Sequence, residues 1–153
     1  LSSAASDVYK RQFVTYWEQA KTRLVGVEPE VIAKYNVVSA PVAARMALGA
    51  AAASGSDIAV SVTGVAGPTG GDEVRPVGTV YLGAARGDTV YVQKLFVSRP
   101  DRALVRARAA QAALALALRL AQGKVPAHTK PLAASEQHSA AALDALNEAF
   151  LAE

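Results

Sequence analysis

The chain has 153 residues, a formal net charge of +3 and 52 % hydrophobic residues, enough for one packed domain, which excludes wholesale disorder. The absence of cysteine excludes disulfides, thiolate metal sites and cysteine nucleophiles. The sequence predicts no membrane span, no signal peptide and no metal site, and so small a charge without a basic run gives little support for nucleic-acid binding.

The first residues differ in origin from the rest. Asp7–Gln12 (DVYKRQ) matches the in-frame translation of a transposon end sequence used to make sequencing libraries. We therefore predict that residues 1–12 are adaptor-derived and that native sequence begins at Phe13, with a natural polar arm as the alternative. Without these residues the net charge falls to +2, so the basic excess indicates no partner.

Three helices and a short β-prone stretch are predicted before the first strand. The stretch is Phe13–Tyr16, and two short helices follow over Glu18–Val25 and from Pro29 to about Tyr35. Ser39 is expected to cap a third, alanine-rich helix that ends before Gly55. Its small side chains favour close packing on a sheet.

The middle of the chain predicts a sheet. A strand over Asp57–Thr63 runs into a glycine-rich loop at 64–76. Strands over Val77–Ala85 and Thr89–Val97 flank a tight Gly-Asp turn, which predicts an antiparallel hairpin. The compact unit therefore reads as an α/β domain in which helices cover a mixed sheet.

A long helix and a separate tail complete the predicted order. Ser98 is expected to cap the helix, with Pro100 in its first turn, and the helix ends before Gly123. Residues 123–153 read as a polar linker and an amphipathic helix over His138–Ala152, whose apolar stripe must be buried somewhere. The helix could cap the domain, form part of a dimer contact or be a lineage-specific tail. His128 and His138 are both expected to be solvent-exposed.

The glycine-rich loop is the most informative stretch. Four glycines follow the predicted strand closely, namely Gly64, Gly67, Gly70 and Gly71. Such glycines let a backbone approach a ligand and point several N–H groups toward it. Neither the phosphate-binding pattern with its lysine nor the dinucleotide pattern is present. The alternative is a purely structural turn.

A family resemblance emerges from this loop. The segments TGVAGPTGG (63–71) and RPVGTV (75–80) resemble the signature of the CinA C-terminal family, which contains nicotinamide-nucleotide amidohydrolases. Tyr16, Lys21 and the Asp101-Arg102 pair with Arg106 resemble further family positions in the same order. The resemblance covers about residues 13–122. It implies a three-layer α/β/α domain whose first strand and helix are missing from this chain.

The resemblance also implies an activity. Family members hydrolyse the carboxamide of nicotinamide mononucleotide to nicotinic acid mononucleotide and ammonia, as cytoplasmic enzymes of pyridine nucleotide salvage that use no cofactor. A homodimer is expected. The family's nucleophile is a serine in a Glu-Ser-x-Thr-Gly-Gly motif, which this sequence does not contain, and neither Ser2 nor Ser3 matches it. The chain is therefore expected to lack its nucleophile and to be inactive alone.

Two alternative functions remain open at this point. One is a nucleotide-binding or regulatory module of a competence/damage-inducible protein, which binds its ligand without hydrolysis. The other is a pure interaction domain that uses the C-terminal helix. Binding without turnover would favour the first, and loss of partner binding on deletion of 139–153 would favour the second.

Acyl transfer needs a base, oxyanion donors and an acid for the leaving ammonia. Lys21 is the candidate base if burial near other cations lowers its pKa, and Tyr16 is a candidate proton relay. Thr63 is a candidate hydrogen-bond partner of the substrate or the serine loop. The loop glycines are candidates for binding the oxyanion, the amide or the phosphate. The alternatives are an exposed lysine, a half-buried tyrosine and an ordinary strand threonine.

Three arginines are candidate anion ligands. Arg102 and Arg106 lie four residues apart near a helix N-terminus, where a cation gains nothing from the helix dipole. We therefore expect them to meet an acidic group: the substrate phosphate, the glutamate of the absent motif, Asp72 or Glu73. A structural ion pair is the alternative to phosphate binding. Arg75 is a further phosphate candidate.

Overall fold

The computed structural model describes residues 12–99 and 101–152. The predicted adaptor segment up to residue 11 and the predicted first-turn Pro100 lie outside the described residues. The helices and strands in chain order are α1 (Glu18–Val25), α2 (Pro29–Tyr35), α3 (Ala40–Ser54), β1 (Ile58–Gly64), β2 (Thr79–Arg86), β3 (Thr89–Phe96), α4 (Arg102–Ala121), β4 (Lys130–Ala133) and α5 (Ala140–Leu151), with a 3-10 turn at Ala134–Glu136.

The four described strands form one sheet in the order β1-β2-β3-β4, and every pairing is antiparallel. The predicted hairpin is confirmed, with Arg86 paired to Thr89 across its turn. The prediction of a mixed sheet is wrong for these strands. No helix separates β1 from β2 or β2 from β3, and β3 and β4 are antiparallel although α4 lies between them. A parallel pair needs such a crossover, whereas an antiparallel pair needs only a loop.

Helices cover both faces of the sheet, so the predicted three-layer α/β/α architecture is confirmed. On one face α3 and α5 pack against the strands, and on the other α4 does so. The α3 backbone comes so close that a Cβ atom at Gly83 would lie 2.4 Å from the Ala43 carbonyl oxygen. Ser61 Oγ donates to the same oxygen at 2.6 Å.

The segment after α4 is part of the fold. The composition had predicted a linker here, and that prediction is wrong. Residues 130–133 pair with β3, and Leu132 is buried. Three side chains on one side of α5 lie in the same core as α3 and β2: Leu143, Leu146 and Phe150. The prolines misled the prediction, because proline is tolerated in an edge strand.

Two local predictions, a short strand before α1 and the N-cap of α4, are also corrected. Phe13–Tyr16 forms no strand. Asp101, not Ser98, caps α4, since its Oδ2 accepts a hydrogen bond from the Leu104 amide at 3.2 Å. A carboxylate satisfies the first-turn amides and complements the helix dipole. The predicted Ser39 cap of α3 is confirmed, with its Oγ accepting from the Val42 amide.

Candidate active site

The glycine-rich loop leaves β1 at Gly64 and returns the chain to β2 at Thr79. Two backbone hydrogen bonds close its base, from the Val65 amide to the Thr79 carbonyl and from the Gly78 amide to the Val65 carbonyl, each 2.8 Å long. The base of the loop is therefore continuous with the end of the β1–β2 ladder.

Packing and backbone conformation account for the loop's glycines. A Cβ atom at Gly64 would lie 2.9 Å from a carbonyl oxygen of β2, and one at Gly71 would lie 2.7 Å from the Val77 amide nitrogen. Gly67 (φ +84°) and Gly70 (φ +92°) have a conformation that other residues rarely adopt. These contacts favour a structural role, and ligand binding by the loop's N–H groups stays a prediction.

Arg102 reaches the loop from α4. Its Nη1 donates to the Gly67 carbonyl oxygen at 3.0 Å. Arg106, one turn further along α4, is exposed. Among residues 12–99 and 101–152 neither arginine pairs with a carboxylate, so the expected contact with Asp72 or Glu73 is wrong. The structure instead brings Arg102 and Gly67 together.

Arg75 holds the loop from the opposite side. Its Nε donates to the Val38 carbonyl oxygen at 2.9 Å and its Nη2 to the Tyr35 carbonyl oxygen at 3.1 Å. Its Nη1 lies 3.4 Å from Asp72 Oδ2. This guanidinium therefore ties the loop to the turn between α2 and α3, and the prediction of a phosphate ligand missed these contacts.

Thr63 is buried at the end of β1, and its Oγ1 donates to the Val37 carbonyl oxygen at 2.8 Å. Its hydroxyl proton is thus engaged within the protein. Only the oxygen's lone pairs remain for a substrate or a neighbouring loop.

Lys21 is the most unusual titratable group in the site. Only 5 % of this residue is exposed, and its Nζ donates to the Thr15 carbonyl oxygen at 2.5 Å. Burial lowers the pKa of the Lys21 ammonium, an effect that the nearby Glu18 carboxylate partly opposes. The lysine therefore releases its proton more readily than an exposed one, as a base requires.

Tyr16 does not join Lys21. Its side chain is 81 % exposed, and within the described chain it makes no hydrogen bond. The half-buried position that we considered as the alternative is therefore wrong, and the relay role of Tyr16 stays a prediction. Tyr16 precedes α1 in a segment without regular secondary structure, so no helix or sheet fixes its ring.

A charged cluster that the sequence analysis missed surrounds Arg45 in the second turn of α3. Arg45 is buried, and its guanidinium donates to both carboxylate oxygens of Glu28, at 2.6 and 2.9 Å, and to Gln137. His138 Nδ1 lies 2.8 Å from Glu28, although most of the imidazole is exposed as predicted. An arginine within an alanine-rich helix was the available signal, because a buried charge needs a partner.

A groove follows the outer edge of β1, which has no strand partner among the described residues. Its volume is about 900 Å³, and β1, the C-terminal half of α3, Phe13, Thr15 and Leu114 line it. The strand carries no charged residue and no proline, the features that usually protect a sheet edge. Thr15 connects the groove to Lys21, since its carbonyl holds the amine.

Comparison with known proteins shows the family. The sequence pattern described as the CinA C-terminal domain matches residues 2–121, more than half of the chain. The chain belongs to the CinA C-terminal domain family. The match starts within the predicted adaptor segment, whose origin stays a prediction, and it ends before β4 and α5.

Relatives of this CinA domain carry two kinds of name. Over 114 residues it is 42 % identical to the nicotinamide-nucleotide amidohydrolase PncC of Escherichia coli K12, covering 73 % of this chain and 68 % of that protein. It is 52 % identical over 93 residues to a CinA-like protein of Geobacter sp. M21, covering 61 % of this chain but 22 % of that longer protein. Several relatives are thus much longer than this chain.

Solved structures agree with the fold of the CinA domain. A CinA superfamily protein from Escherichia coli superposes with a TM-score of 0.66 at 34 % identity, covering 70 % of this chain and 62 % of that one. The competence/damage inducible protein CihA from Agrobacterium tumefaciens gives a TM-score of 0.64 at 35 % identity, covering 73 % and 67 %.

Residues 12–99 and 101–152 contain neither a membrane-spanning helix nor a cluster of metal-binding side chains. No helix there is both long and apolar enough to cross a membrane. No group of three or more histidine, aspartate or glutamate side chains in that part of the chain is arranged to hold a metal ion.

Proposed function

We propose that the protein to which this chain belongs hydrolyses the carboxamide of nicotinamide mononucleotide to nicotinic acid mononucleotide and ammonia. The buried Lys21, with its lowered pKa, is the observation that carries the proposal. The name of the Escherichia coli relative at 42 % identity supplies the substrate. An amidase of the serine type needs a base of this kind to activate its hydroxyl.

In the proposed reaction a serine from the Glu-Ser-x-Thr-Gly-Gly motif attacks the carboxamide carbon. Neutral Lys21 takes the hydroxyl proton, and backbone N–H groups bind the oxyanion of the tetrahedral intermediate. The lysine then returns the proton to the nitrogen as the C–N bond breaks, and ammonia leaves. Water hydrolyses the resulting serine ester, again with Lys21 as the base, which frees the carboxylate product.

We propose that the serine segment occupies the groove along the outer edge of β1. The groove is lined by Thr15, whose carbonyl holds the Lys21 amine, so a serine there lies beside its base. An unpaired, uncharged strand edge favours the addition of one more strand.

The other candidate residues take roles consistent with their contacts. Thr63 fixes the end of β1 against the chain before α3, and its remaining lone pairs face the serine segment or the substrate. Tyr16 would act as a relay only after the serine segment covers it. The loop N–H groups near Gly64, Gly67, Gly70 and Gly71 bind the oxyanion or the amide, while Arg102 and Arg106 attract the phosphate.

The proposal also covers the compartment, the oligomeric state and the cofactor requirement of the enzyme. It works in the cytoplasm as a homodimer, without metal or organic cofactor. Sedimentation of the intact protein tests the homodimer, and an activity assay with and without a chelator tests the absence of a metal. A monomer, or loss of activity in the chelator, would overturn them.

The decisive assay measures ammonia release from nicotinamide mononucleotide by the intact protein that carries the serine motif. We expect turnover by the wild type, a loss of at least a hundredfold in kcat for Lys21→Met, and no change for the exposed Lys124→Met. The present chain alone should release no ammonia. Equal activity of the two lysine variants would contradict the assignment of the base.

Binding without hydrolysis is the second candidate. It is favoured by the relatives that are named only competence-damage inducible or CinA-like, of which this chain covers about a quarter. Calorimetric binding of nicotinamide mononucleotide by the intact protein, with no ammonia released, would support this function over the first.

A further inference from the structure

The glycine-rich loop is held in place by an arginine that reaches outside the loop. Arg75 binds the carbonyl oxygens of Tyr35 and Val38, and it also approaches Asp72. The Asp72 Oδ1 in turn accepts from the amides of Val74 (2.9 Å) and Arg75 (2.6 Å). The position of this end of the loop therefore depends on where the last turn of α2 lies.

The last turn of α2 is itself fixed by the C-terminal helix. The buried Tyr35 donates its hydroxyl hydrogen to Asp144 Oδ1 at 2.7 Å, and Lys34 Nζ lies 2.7 Å from the same oxygen. Asp144 belongs to α5, whose Leu143 and Leu146 are anchored in the core. A continuous set of contacts thus leads from α5 through Tyr35 to Arg75.

The helix that starts this set of contacts lies beyond the family match, which ends at residue 121. We propose that α5 sets the position of the glycine-rich loop through Asp144, Tyr35 and Arg75, which act as positioning residues for the hydrolysis proposed above. Only the effect of the link on hydrolysis rests on the proposed function. The mechanical link itself concerns this chain alone.

Amide hydrogen exchange on the present chain tests the link. Tyr35→Phe removes the tyrosine hydrogen bond from it, so the amides of residues 65–78 should exchange about fivefold faster, the factor expected for one net hydrogen bond. Asp144→Ala removes that bond and the contact with Lys34, so exchange should be at least as fast. Asp144→Asn keeps an acceptor for the tyrosine hydroxyl and should restore the wild-type rate. Glu148→Gln, the matched change on the exposed side of α5, should have no effect.

A substitution at Arg75, the loop end of this set of contacts, shows whether the effect passes from α5 to the loop and not back. Arg75→Met should speed exchange of the loop while leaving α5 at its wild-type rate. A merely structural role of these residues would instead lower protection in every segment and lower the thermal midpoint in parallel.

Two results would overturn the proposal. One is faster exchange confined to α2 and α5, with the loop unchanged, in Tyr35→Phe and Asp144→Ala. The other is an Asp144→Asn protein that behaves like Asp144→Ala while Tyr35→Phe is silent. If Asp144→Ala does not fold, Tyr35→Phe decides, because it keeps the buried ring. The measurement needs no substrate, so an intact protein that releases no ammonia would refute the proposed function and leave the link standing.

Discussion

Phe150→Ala tests the finding that the C-terminal helix is part of the core. The Phe150 side chain is 2 % exposed and meets the Tyr81 ring edge to face, with 5.9 Å between the ring centroids. Truncation removes the buried ring and leaves a cavity between α5 and the sheet. Substitutions of this kind cost about 3–5 kcal/mol of the free energy of unfolding.

Thermal and urea unfolding of the whole chain measure that cost. For a domain of this size each kcal/mol lowers the melting temperature by about 2–4 °C, so Phe150→Ala should melt about 10 °C below the wild type. Leu151→Ala is the matched control, since the next side chain along the helix is 48 % exposed and should change stability by under about 1 kcal/mol.

The two variants together decide between the structure and the composition-based prediction. If residues 123–153 were a linker and a separate tail, both substitutions would be nearly silent in the unfolding of the remaining domain. A Phe150→Ala protein that melts within 2 °C of Leu151→Ala would therefore refute the packing of α5 described above.

Three further substitutions have expected outcomes. Burial lowers the Lys21 pKa, so the folded lysine loses its proton at a lower pH than the unfolded chain does, and wild-type stability relative to Lys21→Met should increase as the pH rises toward 10.5 in urea titrations. Gly83→Ala should cost about 2–3 kcal/mol by thermal melting, because its Cβ would meet the Ala43 carbonyl oxygen at 2.4 Å. Glu28→Gln leaves the buried Arg45 charge without its carboxylate and should cost about 3–5 kcal/mol by urea unfolding, whereas a value below 1 would contradict the pairing.

The parts of the fold that follow from local chemistry were predictable from the sequence. Glycines follow the first and third helices at the predicted positions, Ser39 caps α3, and the Gly-Asp turn closes the hairpin. Each of these signals acts within a few residues, so the sequence displays it directly. The order of the helices and of the first three strands follows from them.

The predictions that failed concern features that depend on contacts between distant segments. Nothing local in Lys130–Ala133 reveals its partner strand, because a four-residue edge strand with a proline resembles a loop. Arg75 and Arg102 illustrate the same limit within the site. Both were predicted to bind anions because they are cationic, and only the tertiary structure shows that backbone carbonyl oxygens accept from them.

The hydrogen bonds made by Arg75, Arg102 and Arg106 indicate on which side of the glycine-rich loop an anion can bind. A guanidinium has five N–H donors, and Arg75 directs its Nε and Nη2 to carbonyl oxygens between α2 and α3 and its Nη1 to Asp72 within the loop. Arg102 gives one hydrogen bond to Gly67, and Arg106 gives none within the described residues, so their other donors remain for a ligand. Because both project from the first turns of α4, we expect a substrate phosphate to approach the loop from the α4 side of the sheet. Arg106→Gln should then weaken nucleotide binding by the intact protein more than Arg108→Gln on the outer face of the same helix.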